Sequence, residues 1–142
     1  IDSLTGVSNR RNWEYQTQKF IQANEVKNIE ACLLLIDIDH FKSINDNHGH
    51  LKGDDVLCEV AKTLQALAGK DAVIGRLGGD EFAVTVPISL DQARRLAGQI
   101  NIKTQRISLQ ESEDLICSSS IGIASINNAN GDLRKWFDSA GL

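Results

Sequence analysis

A short apolar run that ends in two acids is the feature that most constrains the fold of this chain. Leu33 to Ile36 is entirely aliphatic, and the residues that follow it are Asp37, Ile38 and Asp39. A run of this length and composition is typical of a buried strand. The sequence therefore predicts an internal sheet, with carboxylates at the C-terminal end of one of its strands.

The composition limits the class of protein. The chain has 142 residues, of which 42% are hydrophobic and 24% charged, as in one globular domain with a real core. Its net charge of −4 argues against a broad nucleic-acid surface. The three cysteines include no C-x-x-C pair, so we expect buried thiols rather than a disulfide framework or a zinc site.

Hydrophobic periodicity and turn residues predict one mixed α/β domain over residues 1–142. The predicted elements are helices over Arg10–Ala23 and Asp54–Ala68, a hairpin of Val73–Leu77 and Phe82–Val86, a helix capped by Ser89, a strand over Ile116–Ile126 and a last helix capped by Asp132. Residues 45–53 are interpreted as a loop or an interrupted helix. This order favours a largely antiparallel sheet.

Two pairs of acids stand out in this arrangement. Asp37 and Asp39 close the apolar strand, and Asp80 and Glu81 lie at the tip of the hairpin, where a glycine pair is expected to supply positive φ angles. Clustered carboxylates repel each other unless a cation lies between them, and oxygen ligands suit Mg²⁺. Since protein-bound Mg²⁺ usually also contacts phosphates, a nucleotide or another phosphate ester is the implied substrate. From spacing alone, solvated loop charges remain the simpler interpretation.

Longer motifs give the chain a resemblance to a known family. Residues 78–82 spell GGDEF, the signature of diguanylate cyclase catalytic domains. Residues 37–54 match that family's pattern D-x-D-x-F-K-x-I-N-D-x-x-G-H-x-x-G-D. Residues 2–11 resemble its D-x-L-T-G-L-x-N-R-R, and residues 120–124 are similar to its S-x-G-x-A. The four blocks occur in family order and span nearly the whole chain.

This resemblance implies a fold, a reaction and a cofactor. The fold would be the palm-like nucleotidyl-cyclase fold, with a central, largely antiparallel sheet flanked by helices. The reaction would join two GTP molecules into cyclic di-GMP and release pyrophosphate. It would depend on Mg²⁺, with Mn²⁺ as an alternative metal, and would take place in a homodimer in which each domain holds one GTP.

The resemblance also implies roles for the acidic residues and their neighbours. Asp37 and Asp80 would bind the metal through their carboxylates, and Ile38 through its backbone carbonyl. Asp80 would also accept the proton of the attacking ribose hydroxyl. Lys42 would stabilise the charge that develops on the phosphates. Glu81 would help to organise the substrate or a second metal.

A further set of residues would bind the substrate. By resemblance these are Phe41, Asn45, His50, Asp54, Gly78 and Gly79. Asn45 and Asp54 would hydrogen-bond the guanine edge. A carboxylate acceptor suits the N1–H and amino group of guanine, whereas adenine offers neither donor there and would leave Asp54 unpaired.

Simpler interpretations of the motif residues stay open. Lys42 would otherwise form a surface ion pair, and Asp54 would merely favour a helix N-terminus. Asn45 and Gly53 would otherwise serve turns. For Asp39 we favour a structural role over a ligand role.

The chain departs from the family pattern in two places. Residues 69–72 occupy the place of the family's R-x-x-D product site, but Gly69 stands where its arginine is expected and Ala72 where its aspartate is expected. We therefore expect no feedback inhibition through that site. Family members continue into a helix that reads A-D-x-A-L-Y-x-A-K, whose lysine helps to hold the triphosphate. This chain stops at Leu142, with Gly141 where the aspartate is expected, so we expect a truncated C-terminal helix.

An alternative function follows from that second departure. The chain would then be a weak or inactive GGDEF module that binds GTP as a sensor or serves as a dimerisation unit. In either case we expect control by an N-terminal sensory region of a longer parent protein. We also expect a cytoplasmic domain that binds no nucleic acid and makes no direct membrane contact, even where the parent protein is membrane-anchored.

Overall fold

The computed structural model describes residues 1–111 and 117–141, which form a five-stranded sheet flanked by helices. The strands are β1 (Ser8–Asn9), β2 (Cys32–Ile38), β3 (Val73–Gly78), β4 (Glu81–Val86) and β5 (Ser119–Ser125). The helices are α1 (Arg10–Val26), α2 (Phe41–His48), α3 (His50–Ala68), α4 (Leu90–Glu111) and α5 (Leu133–Ala140). A 3₁₀ turn, Ile126–Asn128, precedes α5.

The strand order is β1-β3-β4-β2-β5. The short β1 pairs in parallel with β3, and the other neighbouring strands pair antiparallel. This confirms the predicted α/β class and the largely antiparallel sheet.

The sheet separates two hydrophobic cores. On one face, side chains such as Leu34 and Phe82 pack with apolar residues of α3 and α4. On the other face, Leu33 and Leu35 pack with the fully buried Trp13 of α1 and Trp136 of α5. Because β2 is covered on both faces, its side chains are apolar at successive positions rather than at alternate ones.

Most of the predicted elements are confirmed. Pro87 follows the last residue of β4, where its missing N–H ends the ladder. Ser89 caps α4, since its hydroxyl accepts from the N–H of Gln92 while the Gln92 side chain accepts from the N–H of Ser89. Asp132 caps α5 by accepting from the N–H of Arg134.

Residues 45–53 belong to two helices broken at Gly49, whose φ is +89°, as in the predicted alternative of an interrupted helix. Several other predicted details are wrong. The helix α3 begins at His50 rather than at Asp54. Neither Gly78 nor Gly79 is among the glycines with positive φ. The last strand begins at Ser119, and its predicted first residue, Ile116, lies outside the described residues.

Cys32 and Cys117 are buried and Cys58 is half-buried, and all three thiols are free. Tyr15 is 64% exposed, whereas Trp13 and Trp136 are fully buried. Among the described residues, no helix combines the length and the apolar character that a membrane span requires.

Candidate active site

The end of β2 lies against the tip of the β3–β4 hairpin. In the antiparallel register Asp37 pairs with Glu81, and the N–H of Ile38 donates to the carbonyl of Asp80 at 3.2 Å. This pairing brings Asp37 next to Asp80 and Glu81, which follow it by more than forty positions in the chain. One acid of the first pair, Asp37, therefore lies beside the acids of the hairpin, whereas Asp39 has other partners.

Burial and neighbouring negative charge act together on Asp37. Loss of solvent raises the pKa of Asp37 to about 6, helped by the Asp80 carboxylate and then by Glu81 and Asp39. Two carboxylates this close repel each other when no cation lies between them, and a bound cation removes that repulsion. The carboxylate oxygens of Asp37 and Asp80 therefore fit a divalent metal.

The number of ligands also bears on the kind of cation. Within residues 1–111 and 117–141, no three His, Cys, Asp or Glu side chains are grouped as a ready metal site. Two carboxylates are nevertheless enough for Mg²⁺, which fills its other positions with water, backbone oxygens and substrate phosphates. The predicted ligands Asp37, Asp80 and Ile38 all lie at this end of the sheet.

The hairpin tip is open on the side of its glycines. A Cβ atom added at Gly78 or at Gly79 would meet no atom within 4 Å. These glycines thus leave free space beside the backbone rather than satisfying a left-handed turn. The predicted positive φ angles are therefore wrong, and it is the open space that suits the substrate-binding role implied by the resemblance.

Asp39 has a different environment from Asp37. Its two carboxylate oxygens accept from the hydroxyls of Ser118 and Ser120, at 2.7 and 2.6 Å. The hydrogen bonds from Ser120 and Ser118 lower the pKa of Asp39 below its usual value. These contacts support the structural role that the sequence favours for this residue.

A second group of predicted site residues lies where α2 meets α3. Gly53 is buried in the first turn of α3, and an added Cβ would overlap the side-chain oxygen of Asn45 and crowd the ring of Phe41 at 3.3 Å. Gly53 is therefore needed for close helix packing, and its interpretation as a turn residue is wrong. The contact fixes where the Asn45 amide lies.

The remaining predicted residues lie on the exposed sides of the same helices. Lys42 is exposed in the first turn of α2, and His50 is exposed at the start of α3. Asp54, half-buried, follows His50 by four positions, so the two share one face of α3. Asp54 is not in the first turn, which weakens the interpretation that it merely favours the helix N-terminus.

Sequence reasoning missed one residue next to the hairpin tip. Arg76 donates through Nε to the carbonyl of Gly79 at 3.0 Å, and through one terminal nitrogen to Asp2 at 3.2 Å. Burial acts to raise the pKa of Asp2, but hydrogen bonds from Thr5 and the charge of Arg76 outweigh it, so the pKa is lowered. The available signal was a single charged residue in the otherwise apolar segment Val73–Leu77.

Comparison with known proteins shows the family to which the chain is similar. A family model described as "Diguanylate cyclase, GGDEF domain" matches residues 1–141. The probable diguanylate cyclase DgcC of Escherichia coli K12 is 38% identical over 143 residues, which cover 99% of this chain and 38% of the relative. The chain thus spans well under half the length of this curated relative.

Solved structures with the same fold are also similar in sequence. The GGDEF domain of PA1120 (YfiN or TpbB) from Pseudomonas aeruginosa has a TM-score of 0.87 and is 32% identical, covering 96% of this chain and 86% of that one. The coiled coil and GGDEF domain of DgcB from Caulobacter crescentus, solved in complex with c-di-GMP, has a TM-score of 0.81. It is 28% identical, and the match covers 88% of this chain and 68% of that one.

Proposed function

This chain belongs to the GGDEF family of diguanylate cyclase domains, and from that premise we propose that it condenses two GTP molecules into cyclic di-GMP as a Mg²⁺-dependent homodimer. The observation that carries the proposal is the juxtaposition of Asp37 and Asp80 across the β2–β4 pairing. A carboxylate pair with this geometry is suited to phosphoryl transfer, in which the protein mainly positions groups and stabilises charge.

The proposed reaction consists of two equivalent substitutions. The ribose 3′-oxygen of one GTP attacks the α-phosphorus of the other, and the bond from that phosphorus to the β-phosphate oxygen breaks. Pyrophosphate leaves with the bonding electrons, and Asp80 accepts the hydroxyl proton. Repetition in the opposite direction closes the ring, so that two GTP give one cyclic di-GMP and two pyrophosphates.

Asp37, Asp80 and the carbonyl of Ile38 would hold the metal. When bound, Mg²⁺ or its substitute Mn²⁺ supplies positive charge that lowers the pKa of the hydroxyl and offsets the charge of the phosphates. Lys42, which is exposed in the first turn of α2, would add a further positive charge near the phosphates. Glu81, paired in register with Asp37, would help to organise the substrate or a second metal.

Recognition of guanine would fall to the group at the α2–α3 junction. Asn45, held by its packing on Gly53, and Asp54 would hydrogen-bond the guanine edge, with His50 and Phe41 contacting the substrate. Gly78 and Gly79, with open space beside them, would let the phosphates approach the hairpin backbone.

The partners proposed for this domain follow from the same reaction. GTP is its substrate, and a second copy of the domain brings the second GTP. A sensory region N-terminal to this domain would control how the two copies meet, in a longer protein whose cyclase domain lies in the cytoplasm. The match covers 38% of the relative DgcC, so a protein of that length has residues outside the matched domain for such a region.

Turnover by a dimerised chain tests the proposal. The chain would be fused to a dimerising coiled coil and incubated with Mg²⁺ and either GTP or ATP, and products would be identified by mass spectrometry. We expect cyclic di-GMP from GTP and no cyclic dinucleotide from ATP. GTP binding without product would favour the alternative of a GTP-binding module, and a cyclic product from ATP would contradict the roles of Asn45 and Asp54.

A further inference from the structure

The connection between β2 and α2 is short and conformationally unusual. Only Asp39 and His40 separate the end of β2 at Ile38 from the start of α2 at Phe41. His40 has φ 56° and ψ 30°, a left-handed conformation that is uncommon for a residue other than glycine. Such a conformation persists only where the surrounding structure holds it in place.

Asp39 makes three hydrogen bonds at this connection. Its N–H donates to the carbonyl of Ser118 at 2.9 Å, and its two carboxylate oxygens accept from the hydroxyls of Ser118 and Ser120. We call these three residues the Asp39 cluster. It joins the end of β2 to the start of β5, and its two serines are about eighty positions from Asp39 in the chain.

The segment before His40 is thus fixed from two sides. On the side of β4, the N–H of Ile38 donates to the carbonyl of Asp80. On the side of β5, the Asp39 cluster holds the next residue. Both oxygens of Asp39 are occupied by hydroxyl donors, whereas the Asp37 carboxylate lies beside Asp80.

We propose that the Asp39 cluster is a positioning device for the divalent-metal site, in which Ser118 and Ser120 hold Asp39 so that the Asp37 carboxylate and the Ile38 carbonyl keep their places opposite the hairpin. The inference rests on the proposed function, because it concerns the metal that this function requires. Groups that orient metal ligands in this way typically change metal affinity about 10–100-fold when they are removed.

The chain offers a matched control for this role. Ser119 lies between the two serines of the cluster, but its hydroxyl donates to Asn101 of α4 at 2.6 Å. Successive strand residues point to opposite faces, which explains why Ser119 has a different partner. Ser119→Ala therefore removes a hydroxyl from the same strand without touching Asp39.

The test measures metal binding directly. Mn²⁺ would be titrated into the full chain with a non-hydrolysable GTP analogue present, and free Mn²⁺ would be followed by electron paramagnetic resonance. We expect the Ser118→Ala/Ser120→Ala protein to bind Mn²⁺ about 10–100-fold more weakly than the wild-type chain. Ser119→Ala should bind within about twofold of the wild type, and Ser120→Thr, which keeps the hydroxyl, should retain most of the affinity that Ser120→Ala loses.

A second readout separates positioning from folding. Melting temperatures in EDTA should fall by similar amounts in Ser119→Ala and in each single cluster variant, since each loses one hydrogen bond. Equal Mn²⁺ affinities in the double variant and in Ser119→Ala would overturn the inference, as would a wild-type chain that binds no Mn²⁺. Absence of cyclic di-GMP with Mn²⁺ binding intact would count against the proposed reaction alone, and the ratio of affinities would still decide the role of the cluster.

Discussion

At the scale of single residues, Asp37 differs from an ordinary surface acid because it is partly buried beside Asp80. Its pKa rises from 3.8 to about 6 in the folded chain, so the folded state binds a proton more tightly than the unfolded state. The contribution of Asp37 to stability is therefore present below about pH 4 and is lost as the pH rises through about 6.

This predicted loss of stability with rising pH can be tested in the metal-free protein. With EDTA present, the melting temperature of the wild-type chain should fall relative to that of Asp37→Asn as the pH rises from 4 to 7, because the amide cannot ionise. Thermal denaturation of both proteins across this range measures the difference. Parallel pH profiles for the two proteins would contradict the account of Asp37.

A pair of glycines tests the packing beneath Asn45. Gly53→Ala places a methyl group against the Asn45 side chain, so it should lower the free energy of unfolding by about 1–3 kcal/mol and weaken GTP binding. Gly98 is exposed within α4 and has open space at its Cβ position. Gly98→Ala should instead raise the free energy of unfolding by about 0.5–1 kcal/mol through its better helix propensity.

Urea denaturation and GTP titration of the two variants decide this point. If Gly53→Ala stabilised the chain as much as Gly98→Ala and left GTP binding unchanged, then Asn45 would not be held by that contact.

At the scale of elements, Arg76 joins the N-terminal loop to the hairpin. Its side chain and that of Asp2 are 19% and 18% exposed, whereas the surface pair of Arg94 and Asp91 is 64% and 77% exposed. Arg76→Ala should therefore cost about 1–3 kcal/mol of unfolding free energy, because it leaves the Asp2 carboxylate and the Gly79 carbonyl without this donor. Arg94→Ala should change the free energy by less than about 0.5 kcal/mol.

Hydrogen exchange adds an element-specific readout for the same pair of variants. Loss of Arg76 should speed amide exchange both in residues 2–7 and at the hairpin tip, since one side chain holds the two. Faster exchange in only one of the two segments would contradict this coupling.

The elements that the sequence predicted well are those with a strong local signal. The apolar run of β2, the spacing of Trp13, Thr17 and Ile21 on α1, and the cap at Ser89 each identify an element from a few neighbouring residues. The approach of Asp37 to Asp80 and Glu81 was predictable for a related reason, because Asp37 lies near the end of one predicted strand and the other two acids lie at the tip of a predicted hairpin in the same sheet.

Contacts between distant parts of the chain gave no such signal. The helix α2 buries only Ile44, so its eight residues show little periodicity, and the sequence predicts no helix start at Phe41 but only a loop or an interrupted helix from residue 45. The partners of Asp39 lie 79 and 81 positions away, and Asp2 lies 74 positions from Arg76. These contacts depend on how the sheet assembles, and no local pattern around either residue reveals its partner.

At the scale of the whole molecule, the proposed reaction requires two domains to meet, each of which would hold one GTP. For the unfused chain, the rate of cyclic di-GMP formation per chain should therefore rise in proportion to protein concentration while dimers are scarce. The coiled-coil fusion should show a rate per chain that does not change with concentration. A constant rate per chain for the unfused protein at dilutions where it is monomeric would contradict the proposed homodimer.

The most direct measurement of the central claim is the yield of cyclic di-GMP from the fused dimer when the acids of the site are changed one at a time. Asp37→Ala and Asp80→Ala should each abolish detectable product by mass spectrometry. Asp91→Asn is the control, since Asp91 follows β4 and lies at the opposite end of the sheet from the hairpin. Product lost in both site variants and retained in the control is the predicted result, and product at wild-type levels in Asp37→Ala or Asp80→Ala would contradict the account.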